Sequence, residues 1–222
     1  HFSVFDVIAH LNELGEIDTM YHFDEDLNTH VVDSINGTEN WWYSVHYDGG
    51  WDEFNAFRMD HYPVKDQMDI LIYQTSSDEI SAIHAGFRNQ IARRGQSDKI
   101  IIPEVTVIGT SKILRFTNVT VEAHNIRHDV FKLGVITALD VILSLADQGE
   151  LTFDIRWYAT IGSAEVKTYY VDRINDDEAS GRCGFVYECG ERSFGFKNHI
   201  HLPSDIRVIN APEYMSWFWI CI

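Results

Sequence analysis

With 222 residues, 45% hydrophobic and 23% charged, the chain is long enough for one large or two small domains and too apolar to be a disordered tail. Its 34 acidic and 17 basic side chains leave a formal net charge of -17, which repels phosphate backbones and argues against nucleic acid or an anionic membrane as a partner. No apolar run approaches the roughly 20 residues that span a bilayer, and the longest candidate, "MSWFWICI" (215–222), reads as a strand.

The chain begins at His1 without an initiator Met or a signal peptide, the pattern expected of a processed product. A helix is predicted from Ser3, which caps it, to Gly15; Asp6 supplies an acidic capping-box partner and Val4, Ile8 and Leu11 form one apolar stripe. Strands follow over 17–23, 29–35, 41–47 and 68–73, with Asn36-Gly37 marking a turn before the aromatic run Trp41, Trp42, Tyr43. The stretch 76–95 reads as a second helix, capped by Ser77, closed by Arg93 and Arg94 and stopped by Gly95; its buried face is Ile80, Ile83, Phe87 and Ile91. A hairpin over 99–109 and 112–124 leads to a third helix that starts at Thr137 and stops at Gly149. Strands are then expected over 151–158, 164–173, 183–189, 205–210 and 214–222.

Two segments resemble each other at one constant offset. In 3–18 and 137–152, Asp6, Val7, Ile8, Leu11, Gly15 and Glu16 match Asp140, Val141, Ile142, Leu145, Gly149 and Glu150. "VVDSIN" (31–36) then falls over "YVDRIN" (170–175), and "MDILI" (68–72) over "SDIRVI" (204–209), which makes a duplication the preferred account. The expected architecture is α+β: a first unit over 1–75, a linker helix over 76–98 and a second unit over 99–222. The first unit shows no such hairpin before its helix; either it lies upstream of His1 or another segment occupies its place in the sheet. The strand at 214–222, or one from a neighbouring molecule, is expected to complete its sheet, since an uncovered edge is a pairing site.

Three cysteines are present. Cys183 and Cys189 sit six residues apart on one strand, about 20 Å, too far for a disulfide, so one of them is expected to meet Cys221 and the other to be available to a second chain. Asn36 and Asn118 stand in glycosylation sequons. The loops "HFDEDLNTH" (22–30) and "NDDEASG" (175–181) are oxygen-rich but lack the Gly and Glu of a helix-loop-helix calcium site, and "HIH" (199–201) lacks a third zinc ligand. There is no Gly-x-Ser-x-Gly elbow, and "IGTSK" (108–112) is not a phosphate loop. Asp33 and Asp172 recur in both halves and are read as structural. No catalytic residue, metal or cofactor is assigned.

The arrangement "VFDVIAHL…VVDSINGTENWWYSVHYDGG…PVKDQMDILIY" resembles the transcobalamin C-terminal-like domain family of secreted bacterial and archaeal proteins, which have a β-grasp fold. The resemblance rests on Val4 to Ile8, on Ser34 to Gly37, on Trp41, Tyr43 and Val45, and on Asp69 to Tyr73, over about 70 residues. It departs at His46 to Gly49, where the family has Asn-Gly, and returns faintly in the second half at Cys183, Phe185 and Tyr187. The resemblance implies two tandem β-grasp-like units. It also implies, as one reading, a wall of a pocket for cobalamin or another small ligand.

The preferred expectation is a non-enzymatic extracellular or cell-surface structural protein that self-assembles by strand pairing and by disulfides through Cys183, Cys189 or Cys221. An outward aromatic surface drawn from Trp41, Trp42, Tyr43, Trp217 and Trp219 is expected to serve as the docking face. A small-ligand binding module is the alternative.

Overall fold

The structure, a computed structural model, describes residues 2–47, 53–54, 58–62, 64, 68–92, 99–131, 133–161, 164–190, 203–209 and 214–221. It is α+β, and the chain divides into two compact units, 1–92 with 191–201 and 93–190 with 202–222.

The first unit opens with α1 (Val4–Glu13). Ser3 Oγ accepts the Asp6 N–H while the Asp6 carboxylate takes both the Ser3 N–H and O–H, so the two ends of the box satisfy each other. Gly15, at φ +74, reverses the chain as the capping signal requires. A hairpin follows, β1 (Thr19–Asp24) with β2 (Thr29–Ile35), and β3 (Trp41–Tyr47) then lies between β4 (Glu53–Phe54) and β5 (Met68–Gln74), antiparallel to both.

The second helix, α2 (Ser77–Ala92), belongs to this unit and is not a linker, because its apolar face closes the unit's core. Trp42 and Tyr43 point to opposite faces of β3, yet both are buried. Tyr43 meets Tyr62 edge to face, while Trp42 sits tilted against Phe87 of α2. Arg58, also buried, donates Nε to the Leu27 carbonyl and lays its guanidinium 4.3 Å over the Phe87 ring. Ser76, rather than Ser77, accepts the Glu79 N–H at the start of α2. The predicted stop at Arg93, Arg94 and Gly95 lies outside the described residues.

The second unit begins with the hairpin β6 (Lys99–Ile108) and β7 (Ile113–Glu122), followed by α3 (Ala138–Asp147). Two further strands, β8 (Phe153–Ile161) and β9 (Ala164–Ile174), pair with each other, and β10 (Asp177–Glu178) adds to β9. The main sheet has the order β11-β12-β6-β7, with β11 (Cys183–Gly190) antiparallel to β12 (Tyr214–Cys221) and β12 parallel to β6. α3 packs against β7 and β8, and the core is dense: every residue from Ala138 to Leu145 is buried, as are Ile100, Ile102, Val105, Val107, Phe185 and Trp217 of the sheet.

Two expectations fail here. Residues 205–209 do not form a strand: 204–206 is a turn, and Ile206 and Val208 only mimic strand alternation in the sequence. The terminal strand does not complete the first unit's sheet, because β12 pairs with β11 and β6 inside its own unit.

The units repeat one hydrogen-bond plan. Ser3 and Thr137 carry matching capping boxes, and Asn36 and Asn175 both stand at positive φ, each accepting a backbone N–H, from Asp18 and Thr152 respectively. The first helical amides are capped in the same way from a later turn. Val4 and Phe5 donate to the carbonyls of Tyr62 and Met59, and Ala138 and Leu139 to those of Arg207 and Ser204. This corrects the third block of the sequence alignment: "MDHYPV" (59–64), not "MDILI", is the counterpart of "SDIRVI" (204–209).

Candidate functional site

The corrected alignment brings forward a pair of carboxylates that the sequence reading passed over. Asp60 accepts the Thr29 hydroxyl at 2.6 Å and the His30 N–H at 2.8 Å. Asp205 accepts the Thr168 hydroxyl and the Tyr169 N–H, the latter at 2.9 Å. Each therefore pins the second strand after its unit's first helix, β2 or β9, to the turn that caps that helix. Asp205 also holds the buried Arg127 guanidinium at 2.6 Å. These are structural carboxylates, each with its oxygens engaged by the fold. Asp33 and Asp172, the recurrent pair noted in the sequence, meet His22 in the first unit and Tyr158 and Arg156 in the second.

The informative difference between the units is what lies beside the first helix. In the second unit β7 runs along α3: Ser144 Oγ accepts the Glu122 N–H, Gln148 donates to the Thr120 carbonyl, and Asp140 receives both the N–H and the ring of His124. In the first unit the matching positions have no such strand among the described residues. Asp6 and His10, counterparts of the buried Asp140 and Ser144, are exposed; Val7 and Leu11, counterparts of the buried Val141 and Leu145, are half-buried. Phe2 is 76% exposed where its counterpart Ile136 is 5% exposed, and Leu14 is 62% exposed.

The sheet differs in the same way. Among the described residues β5 pairs with β3 alone, whereas its counterpart β12 has β11 on one side and β6 on the other. Leu71, in the middle of β5, is 60% exposed. Among the described residues the first unit thus has an unpaired edge on β5 and exposed positions along α1, where the second unit carries the β6–β7 hairpin.

A cleft of about 310 Å³ also lies in the first unit, lined by His30, Trp41, Trp42, Met59, His84 and Phe87 among others. Burial and the nearby Arg88 hold the His84 imidazole below its ordinary value, so it is neutral at physiological pH. Among the described residues no group of three or more His, Cys, Asp or Glu side chains is placed to hold a metal ion. Of the oxygen-rich loops, Asp24 closes the β1–β2 turn by accepting the Leu27 N–H, and Asp177 accepts from Thr110. "HIH" (199–201) lies outside the described residues.

The remaining sequence-predicted residues fall as follows. Cys183 and Cys221 are register partners at the ends of β11 and β12 and form an intrachain disulfide. Cys189 is 1% exposed, so it is not available to link a second chain. Asn36 and Asn118 are exposed; Asn36 serves a turn that Asn175 makes without a sequon, and Asn118 sits at positive φ across from Pro103, which has no N–H to give the ladder. The expected aromatic surface is largely interior: Trp42, Tyr43 and Trp217 are buried, Trp217 stacking on Tyr187, and only Trp41 and Trp219 are partly exposed.

No protein-family model matches the chain, and no curated protein matches it. No helix among the described residues is long and apolar enough to cross a membrane.

Proposed function

We propose that the chain is a non-enzymatic extracellular structural protein, a subunit of a cell-surface assembly such as a sheath, surface layer, filament or adhesin, built by strand pairing. The observation that carries this reading is the difference between the two units: one plan, closed by its own hairpin in the second and, among the described residues, without a strand beside β5 or along α1 in the first. An apolar edge of this kind is a template for an added strand, and main-chain hydrogen bonds along it supply affinity. We read both units as β-grasp-like and the chain as related to the transcobalamin C-terminal-like domains. The second unit's order β11-β12-β6-β7, with a parallel central pair beneath one helix, supports that reading.

Sedimentation of the full chain with its physiological envelope fraction tests the proposal. Wild type is expected to enter an assembly and Leu71→Lys, a charged edge substitution, to stay out of it. Equal behaviour of the two would count against strand addition at β5.

The cleft against α2 favours a second reading, a small-ligand module. Its volume, about 310 Å³, is at the lower end of ligand-sized sites, and in this reading it forms one wall of a pocket for cobalamin or another small ligand.

A further inference from the structure

The β1–β2 and β8–β9 hairpins share one register, down to the same irregularity. His22 lies across from Val31 and Arg156 across from Tyr170, and in each hairpin the register shift skips the recurrent aspartate, Asp33 or Asp172. What surrounds that aspartate differs. Asp172 is held by a guanidinium, with Arg156 Nε at 2.8 Å, and accepts the Tyr158 hydroxyl at 3.2 Å. In the first unit His22 and Asp24 stand at those two strand positions, and among the described residues Asp33 meets only the His22 ring, at 2.9 Å through one oxygen. Tyr170, whose hydroxyl lies over Gly184, has Val31 as its counterpart. Val31 and Asp33 both line the cleft of about 310 Å³.

The walls of that cleft are of two kinds. Val31, Ile80 and Phe87 are apolar, and Trp41 donates its Nε1–H to the Thr38 carbonyl at 2.8 Å, which fixes the ring. Asp33 and Glu39 are exposed carboxylates, and Glu39 has no ion pair among the described residues. No Lys or Arg is among the described lining residues, and the neutral His84 imidazole adds no positive charge. Residues 1–92 carry seventeen acidic and three basic side chains, so the surrounding field is negative. Of those three, Arg58 is packed on the Phe87 ring with its Nε on the Leu27 carbonyl, and Arg88 is exposed one turn beyond His84.

Resting on the small-ligand reading of this cleft, we infer that it takes a small organic cation, a guanidino or amino group on a short apolar stem. The charged head sits on Asp33 and Glu39 against the face of Trp41, and the stem lies over Val31, Ile80 and Phe87. The head stands in for the guanidinium that Arg156 gives to Asp172 in the second unit.

Butylguanidinium, butylurea and hexanoate share one shape and differ in charge, and titrating each into the full chain tests the inference. Butylguanidinium is expected to shift the amide resonances of 29–33 and the Trp41 indole N–H. It should bind about tenfold tighter than butylurea, with hexanoate not binding and the margin shrinking at high salt. Asp33→Asn should weaken butylguanidinium about tenfold and leave butylurea unchanged. Val31→Tyr, which installs the second unit's residue, should abolish binding of both.

Equal binding of butylguanidinium and butylurea, insensitive to Asp33→Asn, would overturn the inference and leave the small-ligand reading intact. Shifts at these residues with cyanocobalamin alone would do the same. A capped glycyl-arginyl-glycine peptide that binds far tighter than butylguanidinium would make a protein side chain the source of the cation, which also overturns it. Absence of shifts at these residues with every probe would refute the small-ligand reading together with the inference.

Discussion

Alanine at Asp205 and alanine at Asp60 remove the same carboxylate from the two units, but the costs are expected to differ. Asp205→Ala strips an acceptor from the Thr168 hydroxyl, the Tyr169 N–H and Arg127 Nη1, and the Arg127 side chain is only 5% exposed. Asp129 remains on the guanidinium but is itself half-exposed, so most of the compensation for burying that charge is lost. Breaking a buried pair from one side costs about 3–5 kcal/mol. Asp60→Ala loses the Thr29 and His30 bonds without stranding a buried guanidinium, for a cost of about 2 kcal/mol. Urea unfolding followed by hydrogen exchange, which reads each unit separately, measures both. A cost below about 1 kcal/mol at Asp205, or a larger cost at Asp60 than at Asp205, would refute the account of these carboxylates as the fold's shared staple.

Three further outcomes are expected. The His124 imidazole is pushed up to about 9 from its ordinary 6.5 by its hydrogen bond to Asp140, against the effect of burial and with help from Asp147. A raised folded-state value stabilises fully below about pH 6.5 and is lost as pH rises to about 9, so the second unit should lose about 2 kcal/mol over that window after screening, and His124→Asn should flatten the profile. Cys221→Ser opens the crosslink to Cys183 across 38 residues of sequence and should cost about 4 kcal/mol by the chain-entropy estimate, while the native chain should run at single-chain mass on a denaturing gel with or without reductant. Gly184→Ala should destabilise the β11 end of the sheet, because a Cβ there would collide with the Tyr170 hydroxyl, and thermal unfolding should report a lower midpoint.

What the sequence revealed follows the range of the interactions involved. The capping boxes at Ser3 and Thr137 and the glycine stops at Gly15 and Gly149 are local, so spacing alone placed both helices. Strands β1–β3, β5–β9, β11 and β12 were legible from alternation. Long-range pairing was not: "MDILI" looks more like "SDIRVI" than "MDHYPV" does, yet the matched feature is a turn whose Asp reaches back about thirty residues to a strand.

For the same reason α2 read as a linker, since an apolar stripe does not name the sheet it covers, and Trp42 read as outward until Phe87 closed over it. Cys183 and Cys189 share one strand parity, and only the β11–β12 register tells which of them meets Cys221. The difference between the units was half legible: the hairpin ahead of α3 could be read from 99–124, but the terminal strand could not be assigned to its own unit until β12 was seen between β11 and β6.

The central claim is that the two units are built on one plan and that, among the described residues, no strand lies beside the free edge of β5. It is tested most directly by fusing a second copy of residues 99–136 ahead of Phe2 in the full chain and measuring the stability of the first unit by hydrogen exchange. The account predicts strong new protection at 68–74 and across α1, with a gain of about 3 kcal/mol from covering Val7, Leu11, Leu14 and Leu71. Unchanged exchange in β5 and α1, with the added hairpin itself unprotected, would contradict it.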